Sequence, residues 1–286
     1  MTKRRSYLRP ILALGVISLL ATAALAQRGR RGGGGFGFGE PTVSSPDVDF
    51  PDDGEFHYLR MEYYDSARYS RGFGFVSRRG QANGWWAQDF PDTENHFSFG
   101  LTRLTNITVG KPAHVSLIPQ EGKEEIFDYP WIYVTQAGNW DLSDEEIDRM
   151  REFFARGGFM MTDDTWGAQE QAQFEEAMYR VFPDGQIVAI NEQDPIMHVM
   201  YDIQDKDRTY IPGSRHLGYN GQIQNFGAQP RWMAIHDKKD RVIVAINYDT
   251  DIGDAWEFAD APFYPEHMTT LAYHYGINYL IYSMTH

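Results

Sequence analysis

The chain contains no cysteine among its 286 residues. This absence excludes disulfides, iron–sulfur clusters, thiolate zinc sites and cysteine nucleophiles. Positive charge is also scarce. The chain has 26 Lys and Arg residues and 40 Asp and Glu residues, which gives a formal net charge of -14. Neutralising phosphates requires a basic surface, so the composition predicts that no nucleic acid is a partner.

A long apolar run occurs at the start of the chain, from Ile11 to Ala26. It follows a basic stretch and ends in Ala24-Leu25-Ala26, which predicts a signal peptide over residues 1–26. The run is shorter than the roughly 20 residues that a membrane span needs, although an uncleaved anchor is the alternative. Arg4-Arg5 resembles a twin-arginine motif, so both Sec and twin-arginine export stay open. The predicted location is periplasmic or secreted, with no membrane span after signal removal.

Residues 27–54 are rich in glycine, arginine and proline, a composition that predicts a linker without a core of its own. Contact of its arginines with an anionic surface is the alternative. Residues 55–286 contain no further linker-like segment of this composition. They are predicted to form one α/β domain, since this length lies within what a single α/β domain can carry.

Short runs of β-branched, aromatic and apolar residues predict the strands. These runs lie at residues 56–63, 113–118, 131–135, 158–162, 187–190, 232–236 and 242–246. Helical periodicity occurs between several of them and again near the end of the chain. Strands that alternate with helices predict a mostly parallel sheet that is covered on both faces.

The clearest predicted helix begins after Leu142, where Ser143 and Glu146 have the spacing of a capping box. Its apolar face carries Ile147 and then Met150 and Phe154, while Glu145 and Arg149 are predicted to pair on the outside. Gly157 predicts its end. A buried strand follows, then a turn over residues 163–167, and then a second helix.

Several local strings match one bacterial family in their order along residues 55–285. They are Gly84-Trp85-Trp86-Ala87-Gln88-Asp89-Phe90-Pro91, Leu101-Thr102-Arg103-Leu104-Thr105, Gly157 to Asp164, Asp194-Pro195-Ile196, Asn247 to Glu257 and Gly276-Ile277-Asn278. The chain resembles the family called domain of unknown function 4159. The resemblance implies an exported or membrane-associated protein and a flavodoxin-like, three-layer sandwich similar to class I glutamine amidotransferases. It implies no activity.

The amidotransferase reaction itself can be tested against the residues. Those enzymes place a cysteine nucleophile on the turn between a strand and a helix. In this chain Asp163-Asp164 occupies such a turn, and no cysteine is present. Cysteine-dependent glutaminase chemistry is therefore excluded, and the fold would be shared without the reaction.

Asp163 and Asp164 are the first candidate site residues. They follow a predicted buried strand and precede a helix, which is where ligands bind in open α/β sheets. A carboxylate there could hold a metal or sugar hydroxyls, or act as a general base. The alternative is helix capping or local turn structure, for which aspartate is a preferred residue.

A second acidic group follows the strand predicted at residues 242–246. Its members are Asn247, Asp249, Asp251, Asp254 and Glu257. Both the aspartyl-phosphate pattern and the calcium-loop pattern are incomplete there. Asp249, Asp251 and Asp254 remain weak candidates for Ca²⁺ or Mg²⁺, and no other cofactor is predicted. A solvated acidic turn is the alternative.

Four tryptophans are predicted to lie in loops or at loop edges, and indoles there can stack on sugar rings or on a partner's side chains. The alternative is that they pack in the interior. The predicted ligand-binding set is Trp85, Trp86, Asp89, Asp164, Trp166, Asn247, Asp251 and Trp256. His198 and His216 are single histidines without metal spacing, for which acid–base and structural roles both stay open.

Two functions follow from these observations. The first is an exported, non-catalytic binding or scaffold domain that engages a protein or a carbohydrate, favoured by the missing nucleophile and the loop aromatics. The alternative is an extracytoplasmic hydrolase of a neutral glycan or peptide. In that case Asp163 or Asp164 would act with Asp249 or Asp251 as paired carboxylates.

Overall fold

Seven strands form the sheet at the centre of this computed structural model, which describes residues 46–66, 84–217 and 222–286. The strands are β1 Phe56–Glu62, β2 Val109–Ser116, β3 Trp131–Thr135, β4 Phe159–Thr165, β5 Val188–Ala189, β6 Arg231–His236 and β7 Val242–Tyr248. The described residues all belong to one compact unit, Glu40–His286. The predicted signal peptide and residues 27–45 of the predicted linker lie outside the described residues.

The strands are ordered β2-β1-β3-β4-β7-β6-β5. The first five run parallel, and their sequence order corresponds to 2-1-3-4-5, the doubly wound order of flavodoxin-like folds. β6 pairs antiparallel with β7, and β5 pairs antiparallel with β6. The predicted α/β class with a mostly parallel sheet is therefore confirmed.

Five α-helices connect and cover the strands within the described residues. They are α1 Asp92–Leu104, α2 Asp144–Ala155, α3 Gly167–Val181, α4 Ile252–Glu257 and α5 Glu266–Thr285. The predicted capping box at the start of α2 is confirmed, because the Ser143 side chain accepts from the Glu146 amide while the Glu146 side chain accepts from the Ser143 amide. The predicted Glu145–Arg149 pair is wrong. The Arg149 guanidinium instead lies 3.1 Å from a Glu125 carboxylate oxygen.

Two apolar cores lie on opposite faces of the sheet. Successive strand residues alternate between them, so that Tyr58 packs with α1, α4 and α5 whereas Leu59 packs with α2 and α3. Phe97 and Trp256 are buried in the first core, and Phe174 is buried in the second. This arrangement is a three-layer α/β sandwich, as the periodicity predicted.

The end of β4 differs from the prediction. Asp163, Asp164 and Thr165 were predicted to form a turn, but they continue the strand as far as the pair Thr165–Tyr248 with β7. The register shifts between Thr162 and Thr165, so the extra residues bulge away from the ladder before pairing resumes. Polar side chains are thereby held on a strand end instead of on a loose turn.

Among the described residues, none of the helices combines the length and the apolar composition that crossing a membrane requires.

Candidate functional site

The carboxyl edge of the parallel sheet carries several non-glycine residues in the left-handed backbone region. Gln136 follows β3 with φ 49°, Asp164 lies near the end of β4 with φ 50°, and Asp249 follows β7 with φ 53°. Residues other than glycine reach this region at an energetic cost, and such residues concentrate at functional sites. This edge is also where open α/β sheets bind ligands, so it is the candidate site.

Asp163 is buried, and scaffold donors occupy both of its oxygens. Its Oδ1 accepts a 2.7 Å hydrogen bond from the Tyr133 hydroxyl. Its Oδ2 accepts from the amides of Ile252 and Gly253 at 2.8 and 2.9 Å. Burial raises the pKa of Asp163 to about 7, although these hydrogen bonds favour the ionised form. The capping alternative applies here in a modified form, because Asp163 caps α4 and not the helix that follows it.

Asp164 points to a different set of partners. Its Oδ1 accepts from the Trp166 indole and lies 3.2 Å from Nη2 of Arg215. Burial raises the pKa of Asp164, while the positive charge of Arg215 opposes that shift. The Arg215 guanidinium also lies 5.6 Å from the centre of the Trp166 ring, within cation–π distance. A carboxylate, a guanidinium and an indole therefore meet at one point of the edge.

An aromatic group, which we call the rim, extends from this point toward solvent. The rim consists of Trp166, Tyr210, His216 and Phe226. His216 lies edge-on to Trp166 at 4.5 Å, shares a hydrogen bond with the Tyr210 hydroxyl and contacts Phe226 at 5.2 Å. Phe226 is 71% exposed and has φ 46°. Burial, and then the charge of Arg215, lower the pKa of His216 to about 4, so the rim is neutral at physiological pH.

Asp249, which was predicted as a catalytic and metal candidate, is hydrogen-bonded within this edge on both carboxylate oxygens. Its Oδ1 accepts from the Gly167 amide at 2.8 Å and from the Gln171 side chain at 3.3 Å. Its Oδ2 accepts from the Gln229 amide at 2.9 Å. Both oxygens are used to tie the start of α3 to the chain that enters β6.

Asp251 and Asp254 lie on either side of the start of α4, and both are buried. Asp251 caps this helix by accepting from the Asp254 amide at 2.9 Å. Asp254 in turn accepts from the Ser214 amide at 2.5 Å, which fixes the segment that carries Arg215. Burial and the neighbouring charge of Asp164 raise the pKa of Asp251 well above its ordinary value.

Within the described residues, one group of three carboxylates could hold a metal ion, and its members differ from the predicted metal candidates. Ligand oxygens of Asp89, Asp254 and Glu257 lie within 4.8 Å of one another. Burial raises the pKa of Asp89, and the charges of Asp254 and Glu257 raise it further. Oxygen donors of this kind suit Ca²⁺ or Mg²⁺, so these three residues could hold such an ion. Of the predicted trio, Asp254 alone belongs to this group.

Arg60, on β1, holds the segment that carries Asp89. It is buried, pairs with the buried carboxylate of Glu94, and donates to the backbone oxygens of Trp86 and Gln88. Its guanidinium also lies 5.1 Å from the centre of the Tyr133 ring. A buried charge paired in this way is costly to disturb, so Arg60 fixes the position of the Trp85–Asp89 segment.

Two members of the predicted ligand-binding set are buried in the interior. Trp256 was predicted in a loop but lies on α4, fully buried against Phe97 at 4.4 Å between ring centres. Asn247 is also buried, donating to the backbone oxygen of Thr162 at 3.0 Å and accepting from the Tyr279 hydroxyl at 2.9 Å. The predicted loop position of Trp256 is therefore wrong, and both side chains are shielded from solvent.

Trp85 and Trp86 form a short 3-10 helix, Trp85–Ala87, and both are half-buried. The Trp86 ring stacks on His114 at 5.4 Å, and the Trp85 amide donates to Asp65 at 3.0 Å. These indoles are therefore anchored beside β1 and β2, whereas the rim lies beyond β4 and β7.

Sequence reasoning missed Arg215, Tyr210 and Phe226. They lie in the stretch between β5 and β6, for which the sequence predicts neither a helix nor a strand, so nothing local marks them. For His216 the sequence left acid–base and structural roles open. Its side chain belongs to the aromatic rim.

Comparison with known proteins agrees with the sequence resemblance. A search of curated proteins finds no match to this chain. A family model described as "Domain of unknown function (DUF4159)" matches residues 73–284, well over half of the chain. These residues include β2 to β7, the helices α1 to α4, all but the last residue of α5, and the carboxyl-edge site. The chain therefore belongs to the DUF4159 family.

Proposed function

We propose that the protein is an exported, non-catalytic domain that binds a carbohydrate at the carboxyl edge of its sheet. The observation that supports this proposal is the rim, a neutral and partly exposed aromatic surface that lies directly beside the Asp164–Arg215 ion pair. Aromatic rings offer apolar area to the faces of sugar rings, and the ion pair offers both acceptors and donors to sugar hydroxyls.

The use of the carboxylates favours binding over catalysis. Asp163 and Asp249 accept hydrogen bonds from the scaffold on both oxygens. Asp251 and Asp254 accept backbone amides that hold α4 and the Arg215 segment. A general acid or base needs a carboxyl group within reach of the substrate. At this edge the acidic side chains act mainly as scaffold.

We propose further that the fold is similar to that of class I glutamine amidotransferases. The flavodoxin-like order of the five parallel strands supports this likeness, as does the polar strand end of β4 before α3. The chain has no cysteine for the amidotransferase reaction. The proposed relation is therefore one of architecture alone.

The proposal of export rests on the basic and apolar pattern of residues 1–26. Processing by a signal peptidase would leave a mature chain that begins at Gln27, in the periplasm or outside the cell. Intact-mass measurement on protein from its native host tests this directly. A soluble cytoplasmic product that retains Met1 would contradict export without touching the binding proposal.

A glycan array probed with the mature chain tests the binding function, with neutral oligosaccharides as the ligands offered. Phe226→Ala should weaken binding to any glycan that scores by about 5-fold or more, which is about 1 kcal/mol, because an exposed aromatic contact is lost. The matched control is Tyr179→Ala. Tyr179 is 48% exposed but lies on α3, three turns beyond Gly167 and away from the rim.

Three results would count against the proposal. One is the absence of any glycan signal, and a second is equal weakening by Phe226→Ala and Tyr179→Ala. The third is co-purification of a protein that binds the rim of the wild type but no longer co-purifies with the Phe226→Ala variant. That result would replace the carbohydrate with a protein partner.

A hydrolase of neutral glycans or peptides remains the second candidate function. It is favoured by the position of Asp164, which lies on a strained strand end where amidotransferase-like enzymes carry their nucleophile, beside the buried carboxyl group of Asp251. Incubation of the array glycans with the protein, followed by mass spectrometry, separates the two functions. Products that vanish with Asp164→Asn would establish the hydrolase, whereas intact glycans that bind would support the first proposal.

A further inference from the structure

A cleft of about 480 Å³ lies at the amino edge of the sheet, on the side opposite the candidate site. Glu55, just before β1, and Ile107, just before β2, form one wall. The last turns of α1 and α5 form the other wall, because helices that follow parallel strands return to this edge. The cleft therefore shares no residue with the rim.

The cleft collects exposed apolar side chains. Seven large apolar residues are exposed within the described part of the chain, and Leu104, Met200 and Met284 of this cleft are three of them. Ile281, one turn before Met284 on α5, adds to the same lining. Single exposed apolar residues are ordinary, but a contiguous group beside a concave surface is typical of a protein contact. Methionine in particular suits a surface that repacks against another.

One charge of each sign lies among these apolar residues. Arg103 rests over the Phe99 ring at 5.5 Å, and Glu55 accepts from the Thr108 amide at 2.8 Å. Arg103 and Glu55 form no ion pair with each other in the described part of the chain. The cleft thus has an apolar centre with an unmatched cation and an unmatched anion.

The two charges of this surface are complementary to those of a second copy. Under a two-fold axis, residue i of one copy meets residue j of the other and the reverse contact follows, so each Arg103 could face the Glu55 of the partner copy. The apolar side chains would then meet at the centre, where water is excluded.

We propose that this cleft is the contact surface of a symmetric homodimer of the protein. The two copies join through their amino edges, so both carboxyl edges stay accessible and the dimer presents two ligand sites. The proposal does not depend on what the carboxyl edge binds. A protein that forms dimers but binds no glycan would leave the dimer proposal intact. A monomer that binds glycans would contradict the dimer proposal and leave the proposed function intact.

Sedimentation equilibrium of the full mature chain tests the proposal over a range up to about 100 µM, which covers the weak end of specific association. The expected result is a concentration-dependent mass that approaches two chains. Met284→Glu should weaken the association by at least 10-fold, since it places a carboxylate in the apolar centre. Tyr179→Glu is the control, because Tyr179 is 48% exposed and Met284 is 47% exposed but Tyr179 lies outside the cleft.

Charge reversal gives a second and independent test. Arg103→Glu and Glu55→Lys should each weaken the dimer, because each creates like-charge contacts across the axis, and the double variant should recover most of the loss. Melting temperatures recorded in parallel identify any variant that fails to fold. A chain that stays monomeric over the whole range overturns the proposal, and so does a double variant whose losses merely add.

Discussion

The Tyr133 hydroxyl on β3 donates a 2.7 Å hydrogen bond to the Asp163 carboxylate on the neighbouring strand β4. Both side chains are buried, and Asp163 also accepts the first amides of α4. One carboxylate therefore joins two strands to the helix that lies above them. Replacing Asp163 changes the titration of the scaffold as well as its hydrogen bonding, and this gives the first prediction.

Stability should fall as the pH rises from about 5 to about 7.5, through Asp163 and Glu170. Burial raises the pKa of both carboxyl groups to about 7, above their ordinary values of 3.8 and 4.5. The folded state then binds these protons more tightly than the unfolded state. Their contribution is complete below the unfolded pKa values and is lost as the pH passes through about 7. Urea unfolding at a series of pH values measures it.

His216 acts in the opposite direction. Its pKa is lowered to about 4, so its contribution is present above its ordinary value of 6.5 and is lost as the pH falls toward 4. Comparison with the variant Asp163→Asn separates the contribution of the Asp163 carboxyl group to stability from the opposing contribution of His216. Between about pH 5 and 7.5 the wild type should lose about 1–2 kcal/mol more than Asp163→Asn. Parallel curves for the two proteins would mean that Asp163 is ionised throughout.

Trp256→Ala and Trp166→Ala should separate a core tryptophan from a rim tryptophan. Trp256 is fully buried against Phe97, so its removal should lower the free energy of unfolding by about 3–5 kcal/mol. Trp166 is half-buried, and its loss should cost less stability while it weakens glycan binding by about 5-fold or more. Chemical denaturation and array binding, measured on both variants, check this pair. The prediction fails if the two variants lose equal stability.

Arg60→Met should destabilise the protein by about 3–5 kcal/mol, because it leaves the buried carboxylate of Glu94 without its partner. Burial already raises the pKa of Glu94, and Arg60 opposes that shift. The double variant Arg60→Met, Glu94→Gln should recover part of the loss, since no buried charge then remains. A double-mutant cycle by urea unfolding measures the coupling. Simple addition of the two losses would show that the pair is not coupled.

Ile147→Asp should destabilise the fold by several kcal/mol, because an unpaired carboxylate enters the core between α2 and the sheet. Arg149→Ala, two residues along the same helix, should cost about 1 kcal/mol or less. It loses one partly exposed ion pair with Glu125 and the contact with the Phe127 ring at 4.4 Å. Denaturation midpoints of the two variants compare the faces directly. Equal midpoints would contradict the assignment of the buried face.

The regular parts of the fold could be predicted because their signals are local. The capping box at Ser143, the apolar face of α2 and the alternating strands each depend on neighbours within a few residues. Asp163 to Thr165 could not be assigned in this way. Their strand character comes from pairing between Thr165 and Tyr248, residues far apart in the chain.

The site was harder to predict for the same reason. Trp256 follows an acidic stretch that reads as a turn, but Asp163 caps that stretch from another strand and makes it helical. Arg215 and Phe226 reach Asp164 and His216 through tertiary contacts that no spacing encodes. Local patterns placed the candidate residues at the carboxyl edge of the sheet, and long-range contacts decided which of them face solvent.

The left-handed backbone of Asp164 has a consequence for how this family can vary. Glycine adopts φ near 50° at no steric cost, whereas aspartate pays about 1 kcal/mol for it. Arg215 is about half exposed, so water could take the place of its lost partner. Glycine at position 164 would therefore remove the backbone cost, but it would leave the Trp166 indole without its acceptor. Relatives with glycine at this position are expected to show compensating changes at the positions of Trp166 and Arg215.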